Sequence, residues 1–125
     1  MTSYQLNRGG ILKTISGSVP DAQTAACWIA ITPDGRFAYV VNTASAVISG
    51  YQVRSNGELS LLGNGVTAQT PSGPTDEALT RDGRYLYDVT AGGSIIGYQV
   101  NADGSLTPLN LTAPIPSTSR GLVAR

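Results

Sequence analysis

The sequence predicts an all-β fold made of β-propeller blades, each a sheet of four short antiparallel strands. Three observations lead there. A unit of 47 to 48 residues recurs along the chain, four β-rich stretches fall within each unit, and tight-turn residues separate them. Four strands per unit of this length is the arithmetic of a propeller. Helical repeats need long segments of 3.6-residue period, and every turn here comes too soon for them.

The repeat is explicit. TPDGRFAYVVNTASAVISGYQVRSNGELSLLG returns as TRDGRYLYDVTAGGSIIGYQVNADGSLTPLN. Asp34-Gly35-Arg36 matches Asp82-Gly83-Arg84 and Tyr39 matches Tyr87, an offset of 48; Gly50-Tyr51-Gln52-Val53 matches Gly97-Tyr98-Gln99-Val100, an offset of 47. The one-residue difference falls between Asn42 and Val47, in a turn, where length changes are tolerated. Tyr4-Gln5-Leu6 sits 47 residues before Tyr51-Gln52-Val53, so the chain opens late in one unit. Ser119 to Ala124 resembles the opening of another. The expected organisation is one propeller segment: 1–17 the end of a blade, 25–63 a blade, 73–110 a blade, and 118–125 the first strand of a further one. Two whole blades and two partial ones make an incomplete ring.

Within the first whole unit the strands are expected at Trp28 to Thr32, Arg36 to Asn42, Val47 to Val53 and Glu58 to Leu62, all rich in Val, Ile, Tyr and Leu. Pro33-Asp34-Gly35 makes the first reversal, with proline presetting φ and glycine accepting a positive one. Asn56-Gly57 and Asp103-Gly104 are hairpin dipeptides. Several strands are apolar without clean alternation, which suits sheets covered on both faces.

Composition excludes several functions. Eight basic residues balance eight acidic ones and no basic run occurs, so neither a nucleic-acid surface nor an anionic membrane is an expected partner. No apolar stretch approaches the ~20 residues of a bilayer span, and the first ten residues hold no signal-peptide core. Cys27 is the single cysteine and histidine is absent, which removes internal disulfides, thiolate clusters, imidazole bases and the usual zinc sites. No cofactor or metal is expected.

TPDGRFAYVVNTASAVISGYQV and its second copy resemble blades of the lactonase seven-bladed propeller family, which includes 6-phosphogluconolactonases and carboxymuconate cyclases. They also resemble the wider set of propellers with a Tyr-Val-x-Asn repeat, matched by Tyr39-Val40-Val41-Asn42. The closing Ser119 to Arg125 looks like the natural C-terminus of such proteins. The second copy departs from the signature, with Asp88 and Thr90 in place of Val40 and Asn42. The resemblance implies charged residues and a histidine around a central channel, and no histidine is present to carry over. Fold likeness is only an analogy for function.

The candidate catalytic residues are Asp76, Glu77 and Arg120. Asp76 and Glu77 are adjacent on an expected innermost strand, Pro74 to Thr80, so alternation turns them to opposite faces and at most one meets the neighbouring blade. A structural or solvated role is favoured for both over a channel-mouth site. Arg120 opens the last expected strand, where an arginine could hold a carboxylate or phosphate bidentately; an exposed loop arginine is the plainer alternative. Arg36 and Arg84 recur at one repeat position, which favours a structural role. Trp28 and Cys27 are expected to pack in the core.

Two blades alone would leave apolar faces and strand edges open. The expected partners are other propeller blades, supplied either by a longer parent chain or by further copies in a homo-oligomer. Three functional readings follow: part of a lactonase-like hydrolase acting on a sugar-acid lactone, a non-catalytic scaffold or binding propeller, or a self-assembling fragment without activity.

Overall fold

The computed structural model describes all 125 residues, Met1–Arg125, as eleven strands without a helix. A hairpin comes first, β1 (Ser3–Leu6) against β2 (Leu12–Ser16). Blade one follows as β3 (Ala26–Ile31), β4 (Phe37–Asn42), β5 (Val47–Val53) and β6 (Leu59–Leu61), each antiparallel to the last, and β7 (Ala68–Gln69) pairs with the first half of β5. Blade two is β8 (Pro74–Leu79), β9 (Tyr85–Thr90), β10 (Ser94–Val100) and β11 (Leu106–Pro114), in the same serial order.

The turns explain why the strands stop where they do. Thr32 Oγ1 donates to Asp34 Oδ1 (2.6 Å), and the same oxygen accepts the amide of Arg36 (3.0 Å). Forty-eight residues on, Thr80 Oγ1 donates to Asp82 Oδ1 (2.6 Å), which accepts from the Arg84 amide (3.1 Å). The carboxylate of each Asp satisfies donors that the reversal strips from the ladder. Arg36 and Arg84 leave these turns to lie over the rings of Phe37 and Tyr85, a blade-building position in both copies.

Alternation then assigns faces. Phe37, Tyr39, Val41, Ile48 and Ala68 of blade one pack against Leu86, Tyr98 and Leu106 of blade two to form the main core. The opposite face of blade one carries Ala38, Val40 and Tyr51, covered by Met1, Val19 and Leu61. β4 therefore has every residue buried, as its unbroken apolar run requires. Tyrosine hydroxyls latch neighbouring units: Tyr51 donates to Val19 O (3.0 Å), Tyr39 to Gly104 O (2.9 Å) and Tyr98 to Gln69 O (3.4 Å). Burial pushes Tyr51 and Tyr98 up to about 12 and Tyr39 higher still.

Three details differ from the sequence expectation. The outermost strand of blade two runs on to Pro114, because Asn110 takes a positive φ of 54° and lets β11 re-pair with Ile95 and Ile96 after a bulge. Blade one reaches a similar end in two pieces, β6 and β7. Residues 115–125 form no strand; an innermost strand draws its hydrogen bonds from the second strand of its own blade, and these 125 residues offer none. Finally, Cys27 and Trp28 are exposed, Trp28 by 52%. They line the open hollow beside β3 that the leading hairpin leaves unfilled, so no packed neighbour covers them.

Candidate functional site

The acidic residues converge on the β8–β9 ladder. Glu77 stands directly opposite Asp88, and Asp76 opposite Val89. Directly opposed residues share a face, so Glu77 and Asp88 point toward blade one, while Asp76 points toward the outer face of blade two. Asp76 and Glu77 thus sit on opposite faces of β8, as strand alternation requires. Glu77 is 2% exposed, and its Oε1 accepts the backbone amide of Ala30 on β3 at 3.1 Å. Its Oε2, both carboxylate oxygens of Asp88 and Oδ1 of Asp76 have no hydrogen-bond partner.

The electrostatics follow from burial. Loss of solvation raises Glu77 well above the usual carboxylate range; the Ala30 amide opposes this, and the charges of Asp88 and Asp76 add to it. Asp88 is pushed up to about 7, by desolvation first and by Asp76 second. No arginine or lysine answers them. The chain's two ion pairs, Arg36–Asp34 and Arg54–Glu58, are both on the surface.

Arg120 is brought near this ladder only through its neighbour: a side-chain carbon added at Gly121 would stand 3.9 Å from Asp76 Oδ2. The Arg120 guanidinium itself donates to the carbonyls of Ser117 (3.0 Å) and Ser119 (2.6 Å). Cys27 reaches across from β3, its Sγ 3.7 Å from Thr75 O on β8. Asp88 is the acidic residue that sequence reasoning left out of the site. Its signal was the replacement of an apolar repeat position, Val40 in blade one, by a carboxylate.

Two hollows open elsewhere on the chain, and neither is lined by Asp76, Glu77, Asp88 or Arg120. A groove of about 410 Å³ lies between the two Asp-Gly-Arg turns, lined by Arg36, Arg84, Asp34 and Asp82. A more apolar hollow of about 320 Å³ lies beside β3, between Met1, Asp21, Trp28 and Tyr51. No group of three or more Cys, Asp and Glu side chains is arranged to hold a metal ion.

The sequence model of the family described as "Lactonase, 7-bladed beta-propeller" matches residues 2–120. No curated protein matches the chain. Among solved structures, a functionally unknown protein from Desulfotomaculum acetoxidans superposes with a TM-score of 0.75 at 24% identity, covering 86% of this chain and 33% of its own. A protein from Bacteroides fragilis described as a putative 6-phosphogluconolactonase gives 0.75 at 23% identity, covering 91% of this chain and 33% of its own. The periplasmic gluconolactonase of Pseudomonas aeruginosa gives 0.71 at 18%, covering 96% and 37%. At these identities the likeness is one of fold, and this chain spans about a third of the length of each relative. Two serial four-stranded blades, a flanking hairpin and a family match over nearly every residue lead to one conclusion: the chain belongs to the seven-bladed β-propeller lactonase family.

Proposed function

We propose that this chain is the C-terminal portion of a lactonase-type propeller that hydrolyses a sugar-acid lactone when its ring is complete. The observation that carries the reading is the family match across residues 2–120; the names borne by the Bacteroides and Pseudomonas structures suggest the substrate class. In this reading the ring is filled by other propeller blades, from a longer parent chain or from further copies. Asp76, whose buried Oδ1 has no protein partner, is the carboxylate that this reading assigns to take a proton from attacking water. Arg120 would release the carbonyls of Ser117 and Ser119 to hold the carboxylate or phosphate of the substrate. Glu77, turned into the joint between blades, serves structure instead.

The test is hydrolysis of glucono-δ-lactone, with and without a phosphate on the sugar, by the purified chain after its solution mass has been measured. Turnover that falls at least about tenfold in Asp76→Asn and in Arg120→Ala supports the reading. An assembled ring without turnover overturns it in favour of a second reading, a non-catalytic scaffold. That alternative draws support from the burial of Glu77 and Asp88 and from the absence of histidine. A well-folded, monodisperse monomer would remove the idea that the open blades must be filled.

A further inference from the structure

The joint between blades one and two contains a pair of carboxylates where the repeat calls for apolar contact. Asp88 is fully buried and occupies the repeat position of Val40, which packs in the apolar cluster of blade one. In the ladder it has Glu77 on one side and Ile96 on the other. Both walls of this joint belong to the chain itself, so the burial does not wait on ring closure. Three of the pair's four oxygens find no donor in the protein.

We propose that Glu77 and Asp88 form a proton-holding pair that makes the joint between the two blades sensitive to pH: tight while the pair is protonated, weakened when both carboxylates ionise. Two like charges facing each other in a desolvated seam repel and have no counter-ion; a proton on one removes the repulsion, and a proton on each removes the buried charge as well. The groups around the pair point the same way. Glu77 meets the Ala30 amide from β3, the Tyr39 phenol from β4, Asp76 on its own strand and Asp88 from β9; Asp88 meets the Tyr98 phenol from β10. None of these is a cation. The amide of Ala30 favours an ionised Glu77, and that single hydrogen bond is outweighed by burial.

The direction of the effect is fixed by linkage. A carboxylate whose folded pKa lies above its unfolded one contributes most at pH below the unfolded value, and that contribution is lost as pH rises to the folded value. For Asp88 the window runs from 3.8 up to about 7, and Glu77 acts in the same direction. Asp21, Asp34, Asp82 and Asp103 are all held below the ordinary range, so their titration lies under this window. No histidine titrates within it.

The experiment is chemical denaturation of the full chain at a series of values between about pH 5 and pH 7, beside Asp88→Val, Glu77→Gln and the double variant. While one proton separates the two states, the folded-to-unfolded ratio falls about tenfold for each unit of pH climbed. Asp88→Val removes the share of that slope that Asp88 carries, Glu77→Gln removes the other share, and the double variant flattens it. A wild-type slope of zero or of opposite sign overturns the proposal, as does a slope that survives in the double variant. Should the variants fail to fold, infrared titration of the wild type decides alone: a protonated carboxyl band persisting to neutral pH supports the pair, and its loss near pH 4 overturns it.

Discussion

Tyr39 donates the hydrogen bond of its phenol to the carbonyl of Gly104, sixty-five residues later in the chain, across the joint between the blades. The bond is buried, and the phenol stands beside Phe37, whose ring Gly104 faces from the opposite blade. One turn of blade two thus rests on two successive inward-facing residues of β4. Tyr39→Phe keeps the shape but strands the Gly104 carbonyl. We expect a loss of about 1–2 kcal/mol in denaturant unfolding, with no change in the denaturant slope.

Gly104 is held by two constraints at once. Its φ is +84°, and a methyl group there would stand 2.5 Å from two ring atoms of Phe37. Gly35 has a comparable φ of +70° with nothing within 4 Å of the added carbon. Gly35→Ala should therefore cost only the backbone part, about 1 kcal/mol, while Gly104→Ala should cost at least about twice that. Equal losses in the two variants would show that the ring gives way freely.

Ser49 is fully buried between two partners. It donates to Gly65 O (2.6 Å) and accepts from Asn42 Nδ2 (2.9 Å), which also reaches Asp21 Oδ2 (3.2 Å). Ser49→Ala removes both bonds and leaves the Gly65 carbonyl without its hydroxyl donor. A loss of about 2 kcal/mol is expected in thermal or denaturant unfolding. Ser49→Thr, which keeps the hydroxyl, should recover part of it.

The three latch tyrosines give an alkaline signature. Their folded pKa values lie above the ordinary 10.0, near 12 for Tyr51 and Tyr98 and higher for Tyr39. The folded chain keeps protons that the unfolded chain would release, so stability falls as pH climbs past about 10. Ultraviolet titration should show these phenols ionising late, together with unfolding. Early, reversible ionisation of all six tyrosines without unfolding would contradict the latches.

The strand pattern was legible because each turn announces itself. Val47–Val53 has the bounds that its flanking turns imply, and the second strand of blade one differs only in beginning at Phe37 rather than Arg36. The continuation of β11 was hidden, since it depends on Asn110 entering a left-handed conformation that sequence spacing does not mark. In the candidate site, alternation separated Asp76 from Glu77 correctly. Asp88 was visible as a departure from the repeat, yet its burial depends on which face of β9 meets blade one, and that is a property of packing. The exposure of Trp28 was illegible for the converse reason: an apolar strand bordering an open hollow resembles a core strand until its neighbours are placed.

The chain's two ends are not alike. The leading hairpin presents Tyr4, Leu6 and Leu12, while the trailing sheet presents Tyr87, Ile95 and Leu111 around a shallow hollow. Tyr4 is the repeat counterpart of the latch residues Tyr51 and Tyr98, and it stands 51% exposed. If copies of the chain were to meet through these two ends, the contact would join unlike surfaces and would be head to tail. Such a contact has a sense of direction and a fixed angular step. If that step divides a full turn evenly, growth stops at a closed circle; if it does not, each addition exposes the same end again and the product is a filament of unlimited length.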